Sequence, residues 1–135
     1  MLKWLLIAVG GAFGSLLRYV FQGWVQRSAG DWAEQLAGGT FPVGTLAVNV
    51  TACLAIGFLS GFFAGPQLIR EEYRIGLTVG VLGGYSTFST FGLESFNLAN
   101  DGEFGLALFN MLLSCATGFA AVWVGYRVAE RWFGV

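Results

Sequence analysis

Residues 83 to 91 read GGYSTFSTF, two glycines followed by Ser and Thr residues that alternate with aromatic rings. The stretch lies inside a long run of apolar and uncharged residues. Each glycine disfavours a helix by about 1 kcal/mol relative to alanine. The hydroxyl groups of Ser86, Thr87, Ser89 and Thr90 also offer the backbone competing hydrogen bonds. The sequence therefore predicts a helix that breaks near its midpoint.

The composition around this stretch is that of a membrane protein. Hydrophobic residues make up 56% of the chain and charged residues only 11%, whereas soluble domains carry about 25% charged residues. A helix that crosses a bilayer needs roughly 20 mostly apolar residues. Four runs meet this requirement, and together they predict one all-α transmembrane domain over residues 1–135, with spans at about 4–24, 41–64, 75–96 and 104–126.

Turn signals separate the later spans, at Pro66 and at the Asn-Asp-Gly sequence 100–102. An alternative for the first span is a secretory signal peptide, because Lys3 precedes an apolar stretch. The stretch is longer than a signal peptide's hydrophobic core, and no polar domain follows it.

Several function classes are excluded by composition. The chain has no histidine, and its two cysteines, Cys53 and Cys115, lie alone in separate spans, so no zinc site, redox pair or catalytic couple is predicted. Seven Lys and Arg residues are spread along a chain of net charge −1, which does not favour nucleic-acid binding. We therefore expect neither an enzyme nor a nucleic-acid-binding protein.

The basic residues are distributed unequally between the two sides of the predicted membrane domain. Four spans put both termini on one side with the connection between the second and third spans. That side carries Lys3, Arg70, Arg74, Arg127 and Arg131, against Arg27 on the other. The positive-inside rule favours cytoplasmic termini.

Glycines recur at a spacing of four residues within the spans, as Gly10 and Gly14, Gly57 and Gly61, and Gly76, Gly80 and Gly84. This spacing lets helix backbones approach closely. We interpret all but Gly84 mainly as packing positions. A four-helix unit of this size encloses little interior, so we expect a ligand path at contacts between subunits.

A break in the third span predicts a binding site. Non-helical backbone at this depth is tolerated only where it is buried in protein or lines a wet cavity. Freed carbonyls could bind a cation, and helix N-terminal amides or hydroxyls could bind an anion. Phe88 and Phe91 share a face if helix resumes after the break, and their positive ring edges would attract an anion weakly. The alternatives are a simple kink and ordinary core packing of the two rings.

Other polar residues within the spans fall on shared helical faces. Asn49 lies four residues after Thr45 in the second span, and Asn110, Ser114 and Thr117 form a stripe in the fourth. Such groups either bond helices together or line a hydrated path. Arg18 and Glu94 are charged residues near span ends, for which we predict an orienting or vestibule role.

Three blocks in this order resemble the Fluc/CrcB fluoride channels: GGAFGSLLRY (10–19), FPVGTLAVN (41–49) and GGYSTFSTFGLE (83–94). The resemblance covers nearly the whole chain. It implies a passive, fluoride-selective channel that exports fluoride across the bacterial inner membrane and confers fluoride resistance. It also implies a dual-topology homodimer of two antiparallel copies, with two pores and a structural sodium ion at the centre. The charge bias leaves open a pair of oppositely oriented homologues instead.

The resemblance also implies roles for individual residues. The positions that match the family's pore residues are Asn49, Phe88, Phe91, Ser89, Thr90, Asn110 and Ser114. Gly83 and Ser86 match the positions whose backbone carbonyls hold the sodium ion, although many relatives have threonine where this chain has Ser86.

Two rival functions belong to other classes. A small proton-coupled drug exporter would need a membrane carboxylate, and the first span contains only Arg18. A non-transporting membrane subunit would leave the polar set of Asn49, Asn110 and Ser114 without a purpose, and the sequence leaves this alternative open.

Overall fold

The computed structural model describes residues 1–65 and 69–134, and its described residues contain helices and no strand, which confirms the all-α prediction. The turn predicted at Pro66 lies outside these residues. The elements are α1 (Leu2–Ala37), α2 (Val43–Ala64), α3 (Glu71–Ile75), a π-helix (Gly76–Leu82), α4 (Gly83–Tyr85), α5 (Phe88–Asn100) and α6 (Phe104–Phe133).

Among the described residues, three helices, α1, α2 and α6, are long and apolar enough to cross a membrane. The predicted third span forms a run of shorter elements from α3 to α5. In α1, large apolar side chains such as Val9, Phe13 and Leu16 are more than half exposed. Such an apolar outer surface suits contact with lipid hydrocarbon. A helix also suits it, because every backbone polar group there must be satisfied within the protein.

α1 is longer than the sequence predicted. The expected span ended near Trp24, but the helix continues to Ala37, where the Gly38 N–H bonds to the Glu34 carbonyl in a left-handed cap. Its 36 residues correspond to about 54 Å, well beyond a hydrocarbon core of about 30 Å. The polar residues after Trp24 indicated a connection, yet nothing before Gly38 breaks the helix. Asp31 and Glu34 therefore lie on a helical extension outside the membrane.

The predicted break in the third span is confirmed, and it lies just after the glycine pair. Gly83 and Gly84 are helical, whereas Ser86 and Thr87 are extended, with ψ angles of 156° and 109°. The π-helix before the break was not predicted; its bonds span five residues instead of four and widen the helix.

Glycines bring the helices together, as their spacing predicted. A Cβ on Gly57 of α2 would overlap the Val122 carbonyl of α6, and one on Gly125 of α6 would overlap the Leu54 carbonyl of α2. Among the described elements, α2 and α6 pack against each other most extensively, and they run parallel. Gly84 packs in the same way against the Gly11 backbone of α1, so it is a packing position as well.

We expect Gly125→Ala to lower the free energy of unfolding by about 1–3 kcal/mol, because the added methyl group forces α2 and α6 apart. The matched control is Gly105→Ala in the same helix, where a Cβ meets no atom of the described residues within 4 Å. Thermal unfolding of the purified protein in detergent measures both. Equal midpoints for the two variants would contradict the close α2–α6 contact.

Candidate functional site

Asn49 of α2 bonds to the break in the third span. The Thr87 N–H donates to Asn49 Oδ1 at 3.0 Å, and Asn49 Nδ2 donates to the Thr87 carbonyl at 3.2 Å. Since one bond needs an acceptor and the other a donor, only one orientation of the amide satisfies both. The second hydrogen on Nδ2 has no acceptor among the described residues and could bind a ligand; the pore role of Asn49 stays a prediction.

Thr87 is the N-cap of α5 and is buried. Its Oγ1 accepts from the Thr90 N–H at 3.2 Å and donates to Thr90 Oγ1 at 2.8 Å. Ser89, whose Oγ lies 3.4 Å from Thr87 Oγ1, is exposed. Ser89 and Thr90 were predicted site residues, whereas Thr87 was not. The signal for Thr87 was a threonine at the first residue before a resumed helix, which is a common N-cap.

Phe88 and Phe91 begin α5 and lie together. Their ring centroids are 5.5 Å apart with planes at 46°. Phe88 is 84% exposed, whereas Phe91 is half-buried. The shared face predicted for these rings is therefore present, and core packing does not account for Phe88.

Asn110 of α6 is buried and joins α6 to α5. Its Nδ2 donates to Ser95 Oγ at 2.9 Å, and Ser95 Oγ donates to the Phe91 carbonyl at 2.8 Å. The chain of bonds ends at one of the paired phenylalanines. Ser95 was not predicted from the sequence, because its contact with Asn110 depends on the register between two helices.

Ser114 lies one turn after Asn110 on α6. α5 and α6 are antiparallel neighbours joined by a short connection that turns at Gly102, whose φ is 86°. One turn along α6 from Asn110 corresponds to one turn back along α5 from Ser95, which places Ser114 at the depth of Phe91. Ser114 Oγ is buried and has no hydrogen-bond partner among the described residues.

The predicted stripe on α6 thus divides into three different environments. Asn110 bonds a neighbouring helix, and Thr117 Oγ1 donates to the Leu113 carbonyl of its own helix at 2.6 Å. Ser114 alone keeps a buried hydroxyl without a protein partner in the part of the chain described. Its hydrogen is therefore available to a ligand.

Glu94 belongs to a polar cluster that joins three helices. Gln22 Nε2 of α1 donates to Thr45 Oγ1 of α2 at 3.0 Å, and Thr45 Oγ1 donates to Glu94 Oε1 of α5 at 2.7 Å. Glu94 Oε2 is buried without a partner among the described residues. Gln22 and Glu94 line a cavity of about 570 Å³ together with Gln26, which holds the start of α2 through the Phe41 carbonyl and the Gly44 N–H.

Glu94 was predicted from the sequence, but Gln22 and Gln26 were not. Arg18, on α1 one turn before Gln22, is half-buried, and no described residue hydrogen-bonds to its guanidinium. Its orienting or vestibule role stays a prediction. Gly83 and Ser86 are the positions expected to hold sodium. Gly83 is the exposed first residue of α4, and Ser86 is the half-buried residue that follows the last one.

Comparison with known proteins gives matches to one family model and to relatives with nearly identical names. The family model described as CrcB-like protein, Camphor Resistance (CrcB), matches residues 5–126. A protein of Geobacter metallireducens named fluoride-specific ion channel FluC is 44% identical over 131 residues, covering 97% of this chain and 99% of that protein. Another from Geotalea uraniireducens with the same name is 44% identical, with 93% and 95% covered. One from Symbiobacterium thermophilum, named fluoride-specific ion channel FluC 2, is 39% identical, with 93% and 96% covered.

Proposed function

The chain belongs to the CrcB family, and from this premise we propose that it is a fluoride-selective ion channel, a multi-pass protein of the bacterial membrane. Its relatives are named for that activity. The channel would let fluoride leave the cytoplasm passively and so confer fluoride resistance. The names of these relatives do not support either rival function. The first span also has no carboxylate for a proton-coupled exporter.

The observation that best supports an anion path is the Ser114 hydroxyl, buried at the depth of Phe91 without a partner in the described chain. A buried polar group that lacks a hydrogen bond costs free energy, so it favours a ligand that accepts one. Asn49 of α2 has one amide hydrogen without an acceptor among the described residues, and it lies near the start of α5, the helix that carries Phe91. Neutral donors and ring edges would replace the water of a small anion without holding it as tightly as an arginine would.

We further propose that the four spans of each copy pair with those of a second, antiparallel copy. The 84% exposure of Phe88 supports this arrangement, because a pore ring needs a second wall. Gly83 is exposed near the same end of α5 and would face the partner. Such a pair would place two pores in one dimer, each lined by residues of α5.

A sodium ion fits the break between α4 and α5. Carbonyls at the end of a helix have no next turn to bond to, and hard cations prefer oxygen ligands. The Gly83 and Ser86 carbonyls of both copies would hold the ion. When bound, sodium would supply a fixed positive charge and hold two broken helices together.

The test is fluoride efflux from liposomes that contain the purified protein, with a potassium ionophore to dissipate the voltage. We expect rapid fluoride release and little chloride release, because a path lined by closely spaced donors favours the smaller anion. Liposomes without protein provide the baseline. Equal release of both anions would contradict fluoride selectivity, and no release from folded protein would contradict the channel function of this chain alone.

A further inference from the structure

We propose that Asn49 is a positioning residue that, together with Thr87, frees the Gly83 and Ser86 carbonyls to bind a cation. The inference rests on the proposed sodium site and assigns to Asn49 a second role beside the pore. It follows from the acceptors to which two backbone N–H groups at the break donate.

In a continuous α-helix each N–H donates to the carbonyl four residues earlier. The Thr87 N–H would therefore donate to Gly83, and the Thr90 N–H would donate to Ser86. The Thr87 N–H donates instead to Asn49 Oδ1 at 3.0 Å, and the Thr90 N–H donates to Thr87 Oγ1 at 3.2 Å. Two side chains thus take the donors that these two carbonyls would otherwise use.

Asn49 satisfies both backbone groups of Thr87 with one amide, since its Nδ2 also donates to the Thr87 carbonyl. Thr87 is buried at 5% exposure, so water cannot easily replace these bonds. A buried peptide group without a partner is costly, which means that the extended backbone at Thr87 depends on the amide. Without it, returning the Thr87 N–H to Gly83 becomes the favourable alternative.

The proposal separates two polar residues that the pore assignment treats alike. Asn49 and Asn110 are both side-chain amides within helices of the membrane domain, but Asn110 bonds to Ser95, two turns beyond the break. Replacing Asn49 should alter both the cation response and the fluoride flux. Replacing Asn110 should leave the cation response as it is in the wild type.

The experiment measures the thermal unfolding midpoint of the purified protein in detergent as sodium chloride replaces N-methylglucamine chloride at constant ionic strength. A ligand that binds only the folded state raises the midpoint with its concentration. We expect a sodium-dependent rise in the wild type and in Asn110→Leu. In Asn49→Leu, about tenfold or more sodium should be needed to raise the midpoint as far as in the wild type.

A second pair of variants, at Thr87, tests the same site. If Asn49→Leu does not fold, this pair shows whether side-chain bonds at the break are needed for the sodium response. Thr87→Val removes the acceptor for the Thr90 N–H and should weaken the sodium response, whereas Thr87→Ser keeps the hydroxyl and should retain it. Wild-type responses in Asn49→Leu and Thr87→Val would overturn the inference. A wild-type midpoint that ignores sodium would overturn it together with the sodium site, while the efflux assay reports on the channel separately.

Discussion

Fluoride flux through the channel is expected to fall about a hundredfold when Phe88 and Phe91 are both replaced by isoleucine, and about tenfold for each single change. A pair of aromatic rings contributes about 0.5–1.5 kcal/mol, and we take a ring edge that faces an anion to contribute a similar amount. About 1.4 kcal/mol corresponds to a factor of ten in rate. Isoleucine keeps an apolar side chain at each position but has no positive ring edge to face an anion. Initial rates of fluoride efflux from liposomes measure the effect.

The matched control for these changes is Phe96→Ile, on the same helix. Phe96 is 64% exposed and lies beyond Glu94, away from the break. Its replacement should leave the flux within about a factor of two, a difference well under 1 kcal/mol. Wild-type flux in the double variant would exclude the ring edges from the path. Size-exclusion chromatography of each variant separates a change in conduction from a change in assembly.

Replacing Thr45 with valine is expected to lower the free energy of unfolding by about 3 kcal/mol. Valine has nearly the shape of threonine, but it leaves Gln22 Nε2 without an acceptor and Glu94 Oε1 without a donor. Gln22 and Glu94 are half-buried, and a polar group that loses its partner inside a protein costs about 1–3 kcal/mol. Thr45 itself is 2% exposed, so water cannot easily take the place of its hydroxyl.

Chemical denaturation of the purified protein, followed by tryptophan fluorescence, measures this loss. Thr45→Ser keeps the hydroxyl and should retain most of the stability. A matched position outside the cluster is Thr78, whose hydroxyl, within the described part of the chain, bonds only to the Arg74 carbonyl of the preceding turn. If Thr45→Val were no more destabilising than Thr78→Val, the bonds that join α1, α2 and α5 would contribute little.

Much of the fold could be predicted because its signals are local. Long apolar runs indicate spans, and glycines with hydroxyl residues indicate where a helix is weak. The extension of α1 to Ala37 was missed, since polar residues end a membrane span without ending a helix. The π-helix was missed for another reason: in a segment this uniformly apolar, the sequence carries no period that distinguishes a wide helix from an ordinary one.

The candidate site could be predicted only as single residues. Asn49, Asn110 and Ser114 are conspicuous as polar groups in apolar spans, and the structure places them within the long helices α2 and α6. Their role in the pore stays a prediction. Their partners were not accessible, because Thr87, Ser95 and Gln22 acquire meaning only once the register between helices is known. The same limit explains why Asn110 and Ser114, so similar in sequence, have different environments.

The overhanging end of α1 makes one copy electrically unequal at its two ends. The end of the copy that holds the C-terminus of α1 and the start of α6 is acidic: its one basic residue is Arg27, and its acidic residues are Asp31, Glu34, Asp101 and Glu103. The opposite end is basic: its basic residues are Lys3, Arg70, Arg74, Arg127 and Arg131, and its acidic residues are Glu71, Glu72 and Glu130. In the antiparallel pair proposed above, each mouth would receive one end of each kind. The current would then be the same for inward and outward voltages, whereas two parallel copies would rectify, most strongly at low ionic strength.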